Sequence, residues 1–232
     1  MTTPVTYQLN DSVATITMDD GKVNVMSVAM LSALNDALDI AAADRAVVVM
    51  TGRPGVFSGG FDLNVLRAGG SDGQKMVRMG FELAHRMLSF PTPIVVACNG
   101  HAIAMGVFLV LAADYRIGAD GPFKIGANEV AIGITMPHFG IEICRQRLAP
   151  AHFNRAVTFS EMFSPADAVP AGFLDRVVPA ADLHNEAQKI AASLTKLNMT
   201  VHAASKLRAR DQALKAIRTA IAADADLAGN AD

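Results

Sequence analysis

Apolar positions recur along the chain at two different periods, and the switches between them divide it into elements. Tyr7-Gln8-Leu9 and Val13-Ala14-Thr15-Ile16-Thr17-Met18 alternate with period two around Asn10-Asp11-Ser12, which predicts a β-hairpin. Ser27 then stands as an N-cap before Val28, Leu31, Leu34, Leu38 and Ala41/Ala42, a stripe that predicts a helix to about Ala43. Ala46 to Thr51 is an apolar run of strand length. A Gly/Pro-rich loop is expected from Gly52 to Gly60, followed by helical segments from Phe61 to Arg67 and from about Asp72 to Leu88. Pro91 and Pro93 stop the second of these, and Ile94 to Cys98 predicts another buried strand.

The pattern then repeats, with an Asn99-Gly100 turn, an apolar helix from about Ala104 to Ala112, and strands at Tyr115 to Ala119 and Phe123 to Ile125. Strand, helix and strand recurring without long linkers predict one α/β domain of successive ββα-like units. From Phe139 onward the pattern is mostly helical and is punctuated by Pro150, Pro165, Pro170 and Pro179. A tail of two helices follows, Asp182 to Leu197 and Thr200 to about Ala223. Ala203, Leu207, Leu214, Ile217 and Ile221 are its expected apolar face. The division that results is a core over 1–180 and a C-terminal helical tail over 181–232, which covers its own domain or a neighbouring subunit.

Composition adds a question. Of 232 residues, 51% are hydrophobic and 18% charged, against about 25% charged in ordinary soluble domains. Met87 to Ala113 carries no charge, but Pro91-Thr92-Pro93 and Asn99-Gly100-His101 interrupt it. The uninterrupted part, Ala102 to Ala113, suits a buried helix better than a membrane span, which needs about 20 apolar residues. Met1-Thr2-Thr3-Pro4 opens without a basic or apolar leader pattern, so a cytoplasmic protein is expected. A net charge of −2 provides no field to gather phosphates, so neither nucleic acid nor membrane is an expected partner. Cys98 and Cys144 read as two free buried thiols.

Nucleophile and cofactor signatures are missing. Gly55-Val56-Phe57-Ser58-Gly59 is one register away from a nucleophile elbow, which leaves Ser58 as a turn residue. No dinucleotide or P-loop glycine pattern occurs, and His85, His101, His138, His152, His184 and His202 are too dispersed for a metal site. Two glycine turns remain. Ser58-Gly59-Gly60-Phe61-Asp62-Leu63 follows one apolar strand, and Asn99-Gly100 runs into Ala104-Met105-Gly106 at the start of an apolar helix. Backbone N–H groups from both would meet the requirement of an oxyanion hole. Glu129 is the only charge between Ile125 and Ile134. It is either a general base whose pKa rises in a desolvated pocket or a carboxylate that reaches solvent from a loop.

At these segments the chain resembles the crotonase (enoyl-CoA hydratase/isomerase) family. Gly52 to Leu63 is similar to the family's first oxyanion segment, and Asn99 to Gly106 with Asp114-Tyr115-Arg116-Ile117 to its second. Gly126-Ala127-Asn128-Glu129 and Gly133 to Pro137 resemble the acidic segment after it, and Ala171-Gly172-Phe173-Leu174-Asp175-Arg176-Val177-Val178 a later family motif. The resemblance implies an α/β crotonase-like spiral of repeated ββα units with a C-terminal helical region. It also implies oxyanion donors at the N–H groups of Phe61 and Met105, with Glu129 as base. Gly59, Gly60, Asp62, Leu63, Gly106, Phe108 and Asn128 are the implied substrate contacts. Met105 stands where the family usually has glycine, so its side chain is expected to narrow the acyl pocket or tilt the N–H. Hydratases of the family use two glutamates, and Phe108 takes the place of the first.

That one-glutamate pattern is similar to the mitochondrial type of Δ3,Δ2-enoyl-CoA isomerase. The resemblance implies an acyl-CoA thioester substrate, no metal, no cofactor beyond the CoA of the substrate, and a homotrimer or dimer of trimers. Two alternatives stand beside it: an enoyl-CoA hydratase, with Glu142 as the nearest candidate for a second acid, and a catalytically silent acyl-CoA-binding relative.

Overall fold

A computed structural model of the chain describes residues 3–229, with side chains to residue 225. Met1 and Thr2 of the expected leaderless start, and residues 230–232 of the expected tail, lie outside the described residues. The hairpin forms as β1 (Val5–Asn10) and β2 (Val13–Met18), in register from Val5 opposite Met18 to Asn10 opposite Val13. A two-residue strand β3 (Val25–Met26) precedes α1 (Val28–Ala43), whose N-cap Ser27 accepts the Met30 N–H at 3.2 Å. The next strand, β4 (Val47–Thr51), pairs parallel with β2.

The segment from Gly52 to Gly60 is not a loop. It holds strands β5 (Gly55–Ser58) and β6 (Gly60–Phe61), which lead into α2 (Leu63–Ala68) and α3 (Gly70–Leu88). After β7 (Ile94–Cys98), the expected Asn99-Gly100 turn runs directly into a strand, β8 (Gly100–Ile103), ahead of α4 (Met105–Ala112) and β9 (Tyr115–Ala119). The short strand expected at Phe123 to Ile125 forms instead as β10 (Ile125–Gly126), and a 3₁₀ turn spans Val130–Ile132. The remaining elements are α5 (His138–Arg147), α6 (Pro150–Thr158), α7 (Pro165–Ala171), β11 (Arg176–Val178), α8 (Leu183–Leu194) and α9 (Met199–Gly229).

Three sheets result. The spine runs in the order β1-β2-β4-β7-β9-β11 and is parallel except at the first hairpin. Its central strands are buried on both faces, as the continuous apolar sequences of β4 and β7 require. One face, carrying Ile16, Val48, Met50 and Val96, packs on α1, α3 and α4. The other face, carrying Val47, Val49, Val95 and Ile117, is covered by Leu183, Ala187 and Ala191 of α8. The two smaller sheets, β10-β8-β5 and β3-β6, are built from the glycine segments and hold them side by side. A Cβ on Gly100 would lie 2.0 Å from the Gly55 carbonyl carbon, so glycine is required for this pairing.

The surplus of apolar residues finds its place here. All eight residues of α4 are buried, and among the described residues no helix is long and apolar enough to cross a membrane. The tail helix α9 lies on α3 and α5 of the same chain through Ile217, Ala220 and Ile221. Leu207 departs from the expected apolar face and is exposed, while its neighbour Lys206 is buried with Nζ 2.6 Å from Asp114. Asp114 also pairs with Arg210 at 3.0 Å and accepts the Ile94 N–H at 2.8 Å, which ties the tail to the start of β7.

Candidate active site

The two glycine turns converge. Ser58 is fully buried; its hydroxyl donates to the Asn24 carbonyl at 2.7 Å and accepts the Gly60 N–H at 3.1 Å, which locks the first turn. Gly60 adopts φ 92°, and a Cβ there would lie 2.8 Å from the Ala104 Cβ and 3.5 Å from the Met105 nitrogen. The Phe61 turn and the first turn of α4 are thus in backbone contact. Ala104, the residue before α4, has φ 51°, a conformation that costs a side-chain-bearing residue energy and that concentrates at functional sites. The Val107 N–H donates to the Ala104 carbonyl at 3.0 Å, so the N–H groups of Met105 and Gly106 precede the first helical bond of α4, where the helix dipole places partial positive charge.

These turns border a cavity of about 530 Å³, lined by α2, α3, α4, the 128–137 segment and the start of α5. Gly59, Phe61, Leu63, Phe108, Asn128 and Glu129 of the expected site line it. The others take supporting positions. Gly60 faces Ala104, and Gly106 packs against Ser58, where a Cβ would lie 2.6 Å from the Ser58 carbonyl oxygen. Asp62 caps α2 by accepting the Asn64 N–H at 2.9 Å. The Met105 side chain does not narrow the cavity: it is fully buried in the core, with Sδ 3.3 Å from where a Gly80 Cβ would stand. Sequence reasoning missed Leu66, Val77, Phe81, Ile132, Ile134, Met136, Ile141 and Asp224 as further parts of the wall.

Glu129 brings a carboxylate to the wall of this cavity. It is buried, and its Oε2 has no hydrogen-bond partner. Burial pushes its carboxyl up to about 7, opposed by a backbone N–H that lowers it. Asn128 borders the same cavity but leaves that oxygen unpartnered. The segment carrying the carboxylate is pinned locally. The Glu129 carbonyl accepts the N–H groups of Ile132 and Ile134 at 3.1 and 2.9 Å, and Ser160 Oγ accepts the Ala131 N–H at 3.0 Å. Phe108 is buried with its ring edge-on to Phe139 at 5.7 Å, an apolar contact with no capacity to move a proton. Glu142 is absent from the cavity lining and pairs with Arg145 at 3.2 Å. An apolar cavity with a poised carboxylate on one wall and helix N–H groups on another can remove a proton next to a carbonyl and hold the charge that forms.

Sequence and structural comparisons place the chain in a family. The chain belongs to the enoyl-CoA hydratase/isomerase family, whose profile matches residues 8–231. It is 31% identical over 224 residues to human mitochondrial enoyl-CoA delta isomerase 1, covering 93% of this chain and 72% of that protein. It spans 63% of the length of the mouse enzyme of the same name. An enoyl-CoA hydratase/isomerase family protein from Pseudomonas syringae superposes with a TM-score of 0.94 at 50% identity, covering 96% of this chain and 97% of that one. The enoyl-CoA isomerase of Mycobacterium tuberculosis superposes with a TM-score of 0.93 at 45% identity, covering 97% and 99%. The fold is therefore the crotonase fold, and the chain is an enzyme of this family.

Proposed function

We propose that the protein is a Δ3,Δ2-enoyl-CoA isomerase in which Glu129 is the one shuttling base. The observation that carries this is a single buried, unpartnered carboxylate on an apolar cavity, facing a family position where Phe108 replaces a second acid. The substrate is a 3-enoyl-CoA thioester whose carbonyl oxygen accepts from the N–H groups of Phe61 and Met105. Glu129 takes a proton from C2, the double bond moves from C3–C4 to C2–C3 through a dienolate, and the same proton is returned at C4. No water, metal or second acid enters the balance, and the CoA of the substrate is the only cofactor-like group. One oxyanion donor contributes about 3–4 kcal/mol in other enzymes, and a positioned base about 10² to 10⁴ in rate. The name of the human relative supports isomerisation, while the Mycobacterium tuberculosis neighbour is named both an enoyl-CoA isomerase and a probable enoyl-CoA hydratase. A cytoplasmic location and assembly as a trimer or dimer of trimers complete the reading.

Glu129→Gln is expected to abolish conversion of 3-enoyl-CoA to trans-2-enoyl-CoA, followed by ultraviolet absorbance of the conjugated thioester, while leaving saturated acyl-CoA binding intact by calorimetry. Near-full turnover by Glu129→Gln rejects Glu129 as the base. Hydration of crotonyl-CoA far faster than isomerisation assigns the enzyme to the hydratases instead. Tight acyl-CoA binding without turnover of enoyl, hydroxyacyl or dienoyl thioesters assigns it to the silent relatives.

A further inference from the structure

A second cavity, of about 780 Å³, adjoins the first. It lies between the start of α3 and the last turns of α9, with Gly69, Gly70, Lys75, Arg78 and Ile221 among its walls. Leu66, Val77, Phe81 and Asp224 border both cavities and so form the partition between them. Three of these are apolar side chains of α2 and α3; the fourth is a carboxylate from α9. That carboxylate is committed. Its Oδ1 accepts the N–H of His138 at 2.8 Å and its Oδ2 the N–H of Phe139 at 2.9 Å. The N-cap position of α5 is Pro137, which makes no side-chain cap, so a residue 86 positions beyond His138 supplies the missing acceptors. On its other side α9 is fixed to α3 by Arg218, which pairs with Glu82 at 2.6 Å and contacts His85 Nδ1 at 3.0 Å.

We infer that Asp224 is a specificity-determining residue of the acyl site: seated on the N-terminus of α5, it closes the partition and limits how far an acyl chain extends past Glu129. The side chain cannot swing aside without leaving two amide N–H groups of α5 without acceptors, so the partition holds against a longer acyl group. Removing the carboxylate opens the α9 side of the partition, beside Leu66, Val77 and Phe81, which stay in place. The substrate class that follows is short- to medium-chain acyl thioesters. The inference rests on the acyl-thioester reading above but on different atoms from the base.

The test compares wild type, Asp224→Ala, Asp224→Ser, Asp224→Asn and Asp211→Asn. Asp211 lies on the same helix, exposed and paired with Lys215, and serves as the charge control. Dissociation constants for hexanoyl-CoA and dodecanoyl-CoA are measured by calorimetry, alongside kcat/KM for 3-hexenoyl-CoA and 3-dodecenoyl-CoA. In Asp224→Ala the preference for the twelve-carbon over the six-carbon thioester is expected to rise at least tenfold over wild type. Asp224→Ser opens the same space, keeps a small acceptor for α5, and is expected to shift the preference the same way if the alanine variant fails to fold. Asp224→Asn fills the original volume, keeps one of the two acceptors for α5, and is expected to shift the preference less than threefold; Asp211→Asn is expected to leave it unchanged. An unchanged preference in Asp224→Ser, or a shift in Asp224→Asn equal to that of the smaller variants, overturns the proposal. Because saturated thioesters report the preference by binding alone, failure of Glu129 as base leaves this readout untouched.

Discussion

At Glu129, burial holds the carboxyl up to about 7, from an ordinary value of 4.5. Two consequences follow with opposite signs. A base acts when deprotonated, so kcat is expected to rise with pH and level off above about 7, a limb read from a pH–rate profile with a C2-deuterated substrate as the check on chemistry. Stability runs the other way. The folded state keeps its proton to a higher pH than the unfolded chain, so the stabilisation from the neutral acid is complete below pH 4.5 and is lost as pH rises through about 7. A shift of this size corresponds to a penalty on the order of 3 kcal/mol at pH 8. Glu129→Gln is therefore expected to be more stable than wild type in urea at pH 8 and no more stable at pH 4, and equal gains at both pH values would contradict this. Cys144 is also pushed above its ordinary range, by burial first and by the Glu129 charge second, and stays a neutral thiol in this range.

Between elements, the site depends on how closely two turns approach, and Gly60 measures that approach. Gly60→Ala meets both an unfavourable φ of 92° and the Ala104 Cβ at 2.8 Å. It is expected to cost about 1–3 kcal/mol and to lower kcat more than tenfold by separating the two N–H donors. Gly21→Ala shares a positive φ, 75°, with open space around it; it is expected to lose some stability and keep its kcat, so equal kinetic effects of the two would remove the turn contact from the argument. The long elements around this contact were legible in the sequence because each carries its own signal: Ser27 before an apolar stripe for α1, short runs rich in Val and Ile for β4 and β7. The short strands β3, β5, β6 and β8 were not, since strands of two to four residues hold too few positions to show a period. Of the candidate site, the residues placed by sequence-local geometry were legible, Glu129 and the two glycine turns among them. Asp224 was not, because its function as a cap exists only once α9 has crossed α5.

Over the whole molecule, the tail is attached by charge as much as by apolar contact. Lys206 and Arg210 converge on Asp114, Arg218 reaches Glu82, and Asp224 caps α5, so three sites along one helix hold it to β7, α3 and α5. Lys206 is buried, and burial lowers its ammonium to about 8 even beside Asp114. Removing the partner leaves that cation buried without its counter-charge, so Asp114→Asn is expected to destabilise by about 3–5 kcal/mol. The core over 1–180 and the tail over 181–232 should then unfold together, because the tail's contacts are with the same helices that wall the cavity. Urea denaturation followed by far-ultraviolet circular dichroism and by acyl-CoA binding should give coincident transitions in wild type. An Asp114→Asn chain that loses binding at lower urea than its helical signal would show that the tail detaches first. Coincident transitions shifted together to lower urea would show that the helix, the acyl partition and the spine are one cooperative unit. That unit can then be taken as a rigid body when the assembly is measured: light scattering is expected to give three or six times the 24.4 kDa chain, and a monomer at micromolar concentration would place α9 in the service of its own subunit alone.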